Sequence, residues 1–269
     1  MNDSHFDADT AVRPADGGVW RADLHARWNV GNNPNGGYLL AVAVRAMLAE
    51  AGRADPVSVT GHFLSPPAAG TAEIRTQVVK VGRSFTTVEA ALVQDGRDRV
   101  RAIGAFGDLS ERRGPTRVSA RPPAIPPPAE CISLIELSRQ AERPVPEVMN
   151  RFDLRLPPDS PWGSPGEGDP VEITGWIRFR DGTEPSALSA VAFADAFPPT
   201  LLGSMAVGWI PTIEMTVHVR GRPAPGWLLG TFHTRVLVDG LLEEDGELWD
   251  SEGHPTALSR QLAMVLTPR

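Results

Sequence analysis

The chain has 269 residues, 41% hydrophobic and 22% charged, which is the composition of an ordinary folded protein with a sizeable core. A formal net charge of −7 argues against a nucleic-acid binder, which needs a basic stripe to meet phosphates. The single cysteine, Cys131, excludes an internal disulfide and fits a reducing cytoplasm, and no apolar run approaches the ~20 residues that cross a bilayer.

Residues 1–17 are expected to form a disordered lead-in; their polar, acidic run lacks the basic patch and apolar stretch of a secretion signal. Val19–Trp28 roughly alternates and predicts a strand. After the loop Asn29–Asn35, Gly36-Gly37 opens YLLAVAVRAMLAEAG, apolar on nearly every side until Arg45. That pattern predicts a helix buried all round and stopped at Gly52. Strands are predicted at Val57–Leu64, Ala72–Val81, Phe85–Gln94 and Val100–Phe106, with turns at Val81-Gly82-Arg83 and Gln94-Asp95-Gly96. Residues 110–150 read as a Pro- and Arg-rich, polyproline-like linker, interrupted by a short helix at Ile132–Ala141. The second half predicts a strand at Val171–Arg180 and a helix from Glu184, with Pro185 in its first turn, to Phe197, where Pro198-Pro199 ends it. Strands return at Thr212–Val219, Leu228–Val238, Leu241–Trp249 and Thr256–Leu266.

The second half restates the first. SVTGHFLSPPAAG (58–70) and EMTVHVRGRPAPG (214–226) match Thr60 with Thr216, His62 with His218, Pro67 with Pro223 and Gly70 with Gly226, all at a single spacing. Two copies are too few to stack as a solenoid. They point to a pseudo-dimer, in which one chain holds a site that two subunits would otherwise share. Units 18–109 and 151–269 each follow the order strand, helix, four strands, an α+β order that suits an antiparallel sheet wrapped around a central helix. Joining the two sheets edge to edge removes two exposed edges. The edges that remain make a homodimer or larger homo-oligomer the expected assembly.

Four segments carry a family resemblance: NGGYLLAVAVRAM (35–47), FADAF (193–197), PTIEMTVH (211–218) and SRQLAMV (259–265). In these the chain resembles the double-hotdog acyl-CoA thioesterases, the thioesterase II family, over Val19 to Leu266. The resemblance implies a double hotdog, an acyl-CoA or related acyl thioester as substrate, and no cofactor. It also implies a catalytic trio: an Asp at the end of the helical segment, a Thr opening the next strand and a Gln in the last strand. These fall on Asp195, Thr212 and Gln261.

Thioester hydrolysis needs a water aligned on the carbonyl carbon and donors aimed at the oxygen that becomes an oxyanion. A carboxylate at 195 can accept the water's proton, while a hydroxyl and an amide hold the water in place. Plainer readings stand beside these. Asp195 alone suits a cap for the segment after Pro198, and Thr212 is an ordinary strand residue. Gln261 suits a solvent-facing position, because Leu262 and Met264 have the opposite parity. Asn35, Gly36 and Gly37 suit either a cradle for the acyl carbonyl or a tight turn at close packing, and oxyanion donors are expected there or after Pro199. Phe193, Phe197, Leu201, Leu202, Met205 and Trp209 suit an apolar pocket or plain core, with Phe193, Phe197 and Trp209 taken as substrate-binding candidates.

Other motifs carry less. His62 and His218 lack an HExxH-like partner and read as sheet residues, so no metal is expected. Residues 243–252 (EEDGELWDSE) read as an acidic hairpin rather than a calcium loop. Arg112, Arg113, Arg117 and Arg121 read as a solvated charge run. No G-x-S-x-G elbow is present. Two other functions stay open on this fold: an acyl-CoA hydratase or polyketide dehydratase, and a non-catalytic acyl-ligand binder. The first calls for a His shortly after the Asp, where this chain reads AFPPTLLGS.

Overall fold

A computed structural model describes residues 5–160, 171–204 and 209–266. The first half opens with helix α1 (His5–Asp9) and the paired strands β1 (Arg13–Ala15) and β2 (Val19–Leu24). A short pair, β3 (Asn29–Val30) and β4 (Asn33–Pro34), leads into α2 (Gly36–Ala51). Four strands follow: β5 (Asp55–Phe63), β6 (Gly70–Val81), β7 (Thr86–Gln94) and β8 (Arg97–Gly107). Then come β9 (Ile132–Ser133), α3 (Leu134–Gln140), β10 (Phe152–Leu156), β11 (Glu172–Phe179) and the short helices α4 (Ser189–Phe193) and α5 (Leu201–Ser204). The last strands are β12 (Thr212–Val219), β13 (Leu228–His233), β14 (Leu237–Val238), β15 (Leu241–Trp249) and β16 (Pro255–Met264).

One antiparallel sheet holds fourteen of these strands, in the order β1-β2-β6-β7-β8-β5-β12-β16-β15-β13-β11-β10-β9, with β14 on β15. The two halves therefore join edge to edge through β5 and β12, the two strands that carry the repeated segments. Thr60 lies directly opposite Thr216, and their hydroxyls are 2.8 Å apart. Matched residues facing each other across one ladder put a pseudo-twofold axis at this pair. The outer edges are β1 and β9, three and two residues long. Short edge strands are one way natural sheets block further pairing, so the edge argument for additional copies rests on very little strand.

The sheet wraps around α2. Tyr38 to Val44, Ala46 and Met47 are all buried, because β5 to β8 cover one side and α4 the other. Such a helix can be apolar all round only when no face meets water. It ends at Gly52, whose φ of 59° is the left-handed value that favours glycine at a helix stop. Gly61 on β5 lets the helix sit close: a Cβ there would lie 2.8 Å from Leu40 Cδ1.

Three expectations are corrected. Residues 5–17 of the lead-in are ordered, since α1 packs Phe6 between Trp28 and Phe179, at ring distances of 6.0 and 5.1 Å. The buried Asp9 carboxylate accepts from Trp28 Nε1 at 2.8 Å and lies 3.0 Å from Arg27 Nε. One aromatic and one buried acid thus anchor a segment whose average composition is polar. The second unit's helix is shorter than expected and its first turn starts later. The Ser186 hydroxyl accepts from Ser189 N–H and the Ser189 hydroxyl accepts from Ser186 N–H, an exchange that caps the segment there. The strand expected to run to Val238 stops at His233, with Leu237–Val238 forming a separate short pair.

β10 was not anticipated. It pairs with β11 and contributes Phe152 to an aromatic group with Phe179 and Phe193. Among the described residues no helix is long and apolar enough to cross a membrane.

Phe6→Ala removes the anchor of α1. The expected loss is about 3 kcal/mol of unfolding free energy in a urea titration, with faster proteolysis among the first seventeen residues. An unchanged urea midpoint would mean that α1 contributes nothing to the core.

Candidate active site

A cavity of about 800 Å³ opens between the two halves. The first unit supplies Asn35, Gly36, Leu39 and Phe63; the second supplies Asp195, Phe197, Thr212, Glu244, Gln261 and Ala263. The stretch around α3, expected only as a linker, forms a third wall with Leu134, Ser138, Val148 and Met149. All three candidate catalytic side chains therefore face one space.

Asp195 stands just beyond α4, where its segment meets the start of α2. Its Oδ2 accepts from Gly37 N–H at 2.7 Å and from Asn35 Nδ2 at 2.9 Å. Asn35 Nδ2 also donates to the Asp195 carbonyl at 2.8 Å, and Asn35 Oδ1 caps α2 by accepting from Tyr38 N–H at 2.9 Å. The approach is close because glycine is there: a Cβ on Gly37 would lie 2.8 Å from Asp195 Cβ and 2.9 Å from the Ala192 carbonyl. Asp195 is thus a cap, but for the helix of the other unit. The Gly37 N–H expected as an oxyanion donor is already used by this carboxylate.

Burial pushes the Asp195 carboxyl up to about 7; the Gly37 N–H opposes the rise, the nearby Glu244 carboxylate adds to it, and Asn35 opposes it. The first turn of α2 faces the group with the positive end of a helix dipole, yet desolvation outweighs it.

Thr212 and Gln261 meet through a bulge. The β12–β16 register shifts between Thr212 and Glu214, leaving Ile213 as an extra residue. Residues opposite each other in a ladder share a face. The bulge puts Thr212 opposite Ala263, on the inner face, alongside Met215 opposite Gln261. Thr212 Oγ1 then donates to Gln261 Oε1 at 3.0 Å. Gln261 points inward with the buried Ala263, while Leu262, Met264 and Arg260 point outward. The large apolar residues of this strand therefore lie on the exposed side, against the simple parity expectation. Arg260, next to Gln261, is taken up outside by Asp245.

Glu244 was not anticipated. The segment 243–252, read as an acidic hairpin, belongs largely to β15, with its turn at Asp250 holding Glu252 and His254 N–H groups. Glu244 has the inward parity of Leu242 and Leu248, and that shared parity was the available signal. It is 3% exposed, and its oxygens accept from Gln261 Nε2 and Thr200 N–H, each at 2.8 Å. Burial raises its pKa, opposed by the Thr200 N–H and hydroxyl and by Gln261. The Thr200 N–H, another expected oxyanion donor after Pro199, is thereby also used.

The remaining candidates divide. Asn35, Gly36, Phe197, Leu202 and Trp209 line the cavity, with the Phe197 ring seated on Phe232 and against Gly230. Phe193 does not line it, because its ring is locked in the core between Phe152 and Phe179. Gly37 acts through Asp195 rather than on the cavity wall. Leu201 packs with Leu242 and Ala263, and Met205 lies outside the described residues. His62 and His218 are exposed on the sheet. Among the described residues, no three His, Cys, Asp or Glu side chains are grouped to hold a metal.

Comparison with known proteins follows the same division of the chain. Residues 24–107 match the family description of the acyl-CoA thioesterase N-terminal domain, and residues 128–265 match that of the C-terminal domain. A structure from Thermobifida fusca described as a thioesterase II is 34% identical, with a TM-score of 0.87 and 98% of each chain covered. A hot dog protein of unknown function from Alicyclobacillus acidocaldarius shares the fold at 23% identity and a TM-score of 0.86, again over 98% of each chain. An uncharacterized protein of Mycobacterium tuberculosis is 29% identical over 97% of this chain and 98% of its own. With both domains matched in order over a double hotdog and a carboxylate set into its central cavity, the chain belongs to the acyl-CoA thioesterase family and is a thioester hydrolase.

Proposed function

We propose that the cavity hydrolyses acyl-CoA thioesters by direct attack of a water, with Asp195 as general base. The observation that carries this reading is a carboxylate with a pKa near 7, set in the same cavity as a hydrogen-bonded Thr–Gln pair. A base poised near the working pH is ionised often enough to act and basic enough to take a proton.

The water donates one hydrogen to Asp195 and the other to Thr212 Oγ1, whose own hydrogen is directed to Gln261. Gln261 has a second amide hydrogen beyond the one given to Glu244, and this holds the water's oxygen while its remaining lone pair attacks the carbonyl carbon. Asp195 takes the proton as the C–O bond forms. The tetrahedral oxyanion then collapses, the C–S bond breaks, and the departing thiolate receives the proton to leave as the thiol. Phe197, Leu202 and Trp209 supply apolar wall for the acyl group. The hydratase alternative has less support, because no histidine is among the described residues that line the cavity.

Asp195→Asn keeps an oxygen for Gly37 and Asn35 but removes the base. A free-thiol assay over short to long acyl-CoAs should show turnover reduced by ~100-fold or more with the fold retained. Wild-type turnover in this variant would sink the assignment.

For the wild type, kcat/KM should rise with pH up to about 7 and then level off, as Asp195 loses its proton. The stability consequence has the opposite sign to that of a salt-bridged acid. Asp195 binds its proton more tightly folded than unfolded, so its contribution weakens as pH climbs from 3.8 to about 7. Asp195→Asn should therefore raise Tm over wild type more at pH 8 than at pH 4; an equal difference at both would contradict the raised pKa.

Gly37→Ala should lower kcat by about tenfold or more by forcing Asp195 away from α2, since a misplacement of about 1 Å is that damaging. Steady-state kinetics on a correctly folded variant decide this, and full activity would show that the close approach is dispensable.

A further inference from the structure

Glu244 is a carboxylate on a strand otherwise packed inward with Leu242, Gly246 and Leu248. Removing such a group from water is unfavourable, and an apolar residue would pack there at less expense. Its hydrogen bonds show what it does instead. Oε1 accepts from Gln261 Nε2 and Oε2 from Thr200 N–H, both at 2.8 Å. Both Glu244 oxygens accept, so the end of the Gln261 amide that faces it is the NH2. The carbonyl end of the amide is then turned to Thr212, and the Thr212 hydroxyl must point its hydrogen at Gln261. Thr212 is left with lone pairs toward the cavity. The Thr200 bond ties the same carboxylate to the segment that follows Asp195, where the Thr200 and Thr234 hydroxyls are also joined at 2.8 Å.

We propose that Glu244 is a positioning residue for hydrolysis: its carboxylate sets the direction of the Gln261–Thr212 hydrogen-bond chain, so that Thr212 presents an acceptor, and not a donor, to the attacking water. This inference rests on the water-activation reading of Asp195, Thr212 and Gln261. It adds a residue to the site that acts only through others.

Glu244→Gln tests it with almost no change in shape. If its carbonyl keeps the Thr200 bond, its NH2 faces the Gln261 NH2, and the Gln261 amide turns over. Thr212 then accepts from Gln261 and turns its own hydrogen toward the water. Turnover should fall by roughly 100-fold with KM within about threefold of wild type. In a Thr212→Val background the same change should cost clearly less than it does in the wild type, because the share of the loss that runs through the Thr212 hydroxyl is already gone. Glu244→Asp keeps an acceptor-only group and should retain most of kcat, which also serves should Glu244→Gln fold poorly.

Wild-type kcat in Glu244→Gln would overturn the proposal. So would losses from Glu244→Gln and Thr212→Val that multiply in full, or a Glu244→Asp variant as impaired as Thr212→Val. If Thr212→Val itself keeps wild-type turnover, the water-activation reading is what fails. If Thr212→Val loses activity and Glu244→Gln does not, only the role of Glu244 fails.

Discussion

The site depends on one hydrogen bond between the two halves of the chain, from Gly37 N–H in the first unit to Asp195 Oδ2 in the second. A helix start offers unpaired N–H groups and the positive end of a dipole, and a carboxylate is its natural partner. That contact by itself lowers the Asp195 pKa. Burial in the cavity wall and the Glu244 carboxylate push the other way, and the balance lies near neutrality. The same contact requires that α2 begin with residues lacking a Cβ, because backbone and side-chain atoms of the second unit occupy that space.

The duplication divides the work unequally. The first unit keeps a sixteen-residue helix, whose burial organises the core and whose start receives the carboxylate. The second unit's corresponding helix is five residues long, and the segment after it holds Asp195 at the cavity and Thr200 on Glu244. Thr212 on β12, Gln261 on β16 and Glu244 on β15 then come from three adjacent strands of the second unit. The seam at Thr60 and Thr216 sets the register that brings these strands beside β5 and α2. Neither half contains the whole site.

Much of this was legible along the chain. The all-apolar run after Gly36 could only be a helix with no wet face, and the Gly52 stop followed from its place at the end of that run. The repeated Thr-x-His segments announced two related units, and their strands were found nearly in register with the observed ones. Asp195, Thr212 and Gln261 came from family resemblance, since no spacing rule joins residues so far apart in sequence. What misled were averages over composition. A polar lead-in concealed Phe6 and Asp9, and an apolar cluster after the second helix mixed the core residue Phe193 with the cavity residue Phe197.

By itself the sequence determined which segments alternate, which run is buried on every side, and that the fold is built twice. Only the tertiary structure decided which face of each strand is inside. A period of two defines two faces without saying which one meets the core, so Leu262 and Met264 lie outside and Gln261 inside because of what packs beneath the sheet. Thr212 faces Gln261 only because a bulge shifts its parity by one residue. Glu244 lies buried between partners 44 and 17 residues away in sequence, and its hydrogen bonds exist only once three separate segments have been packed together.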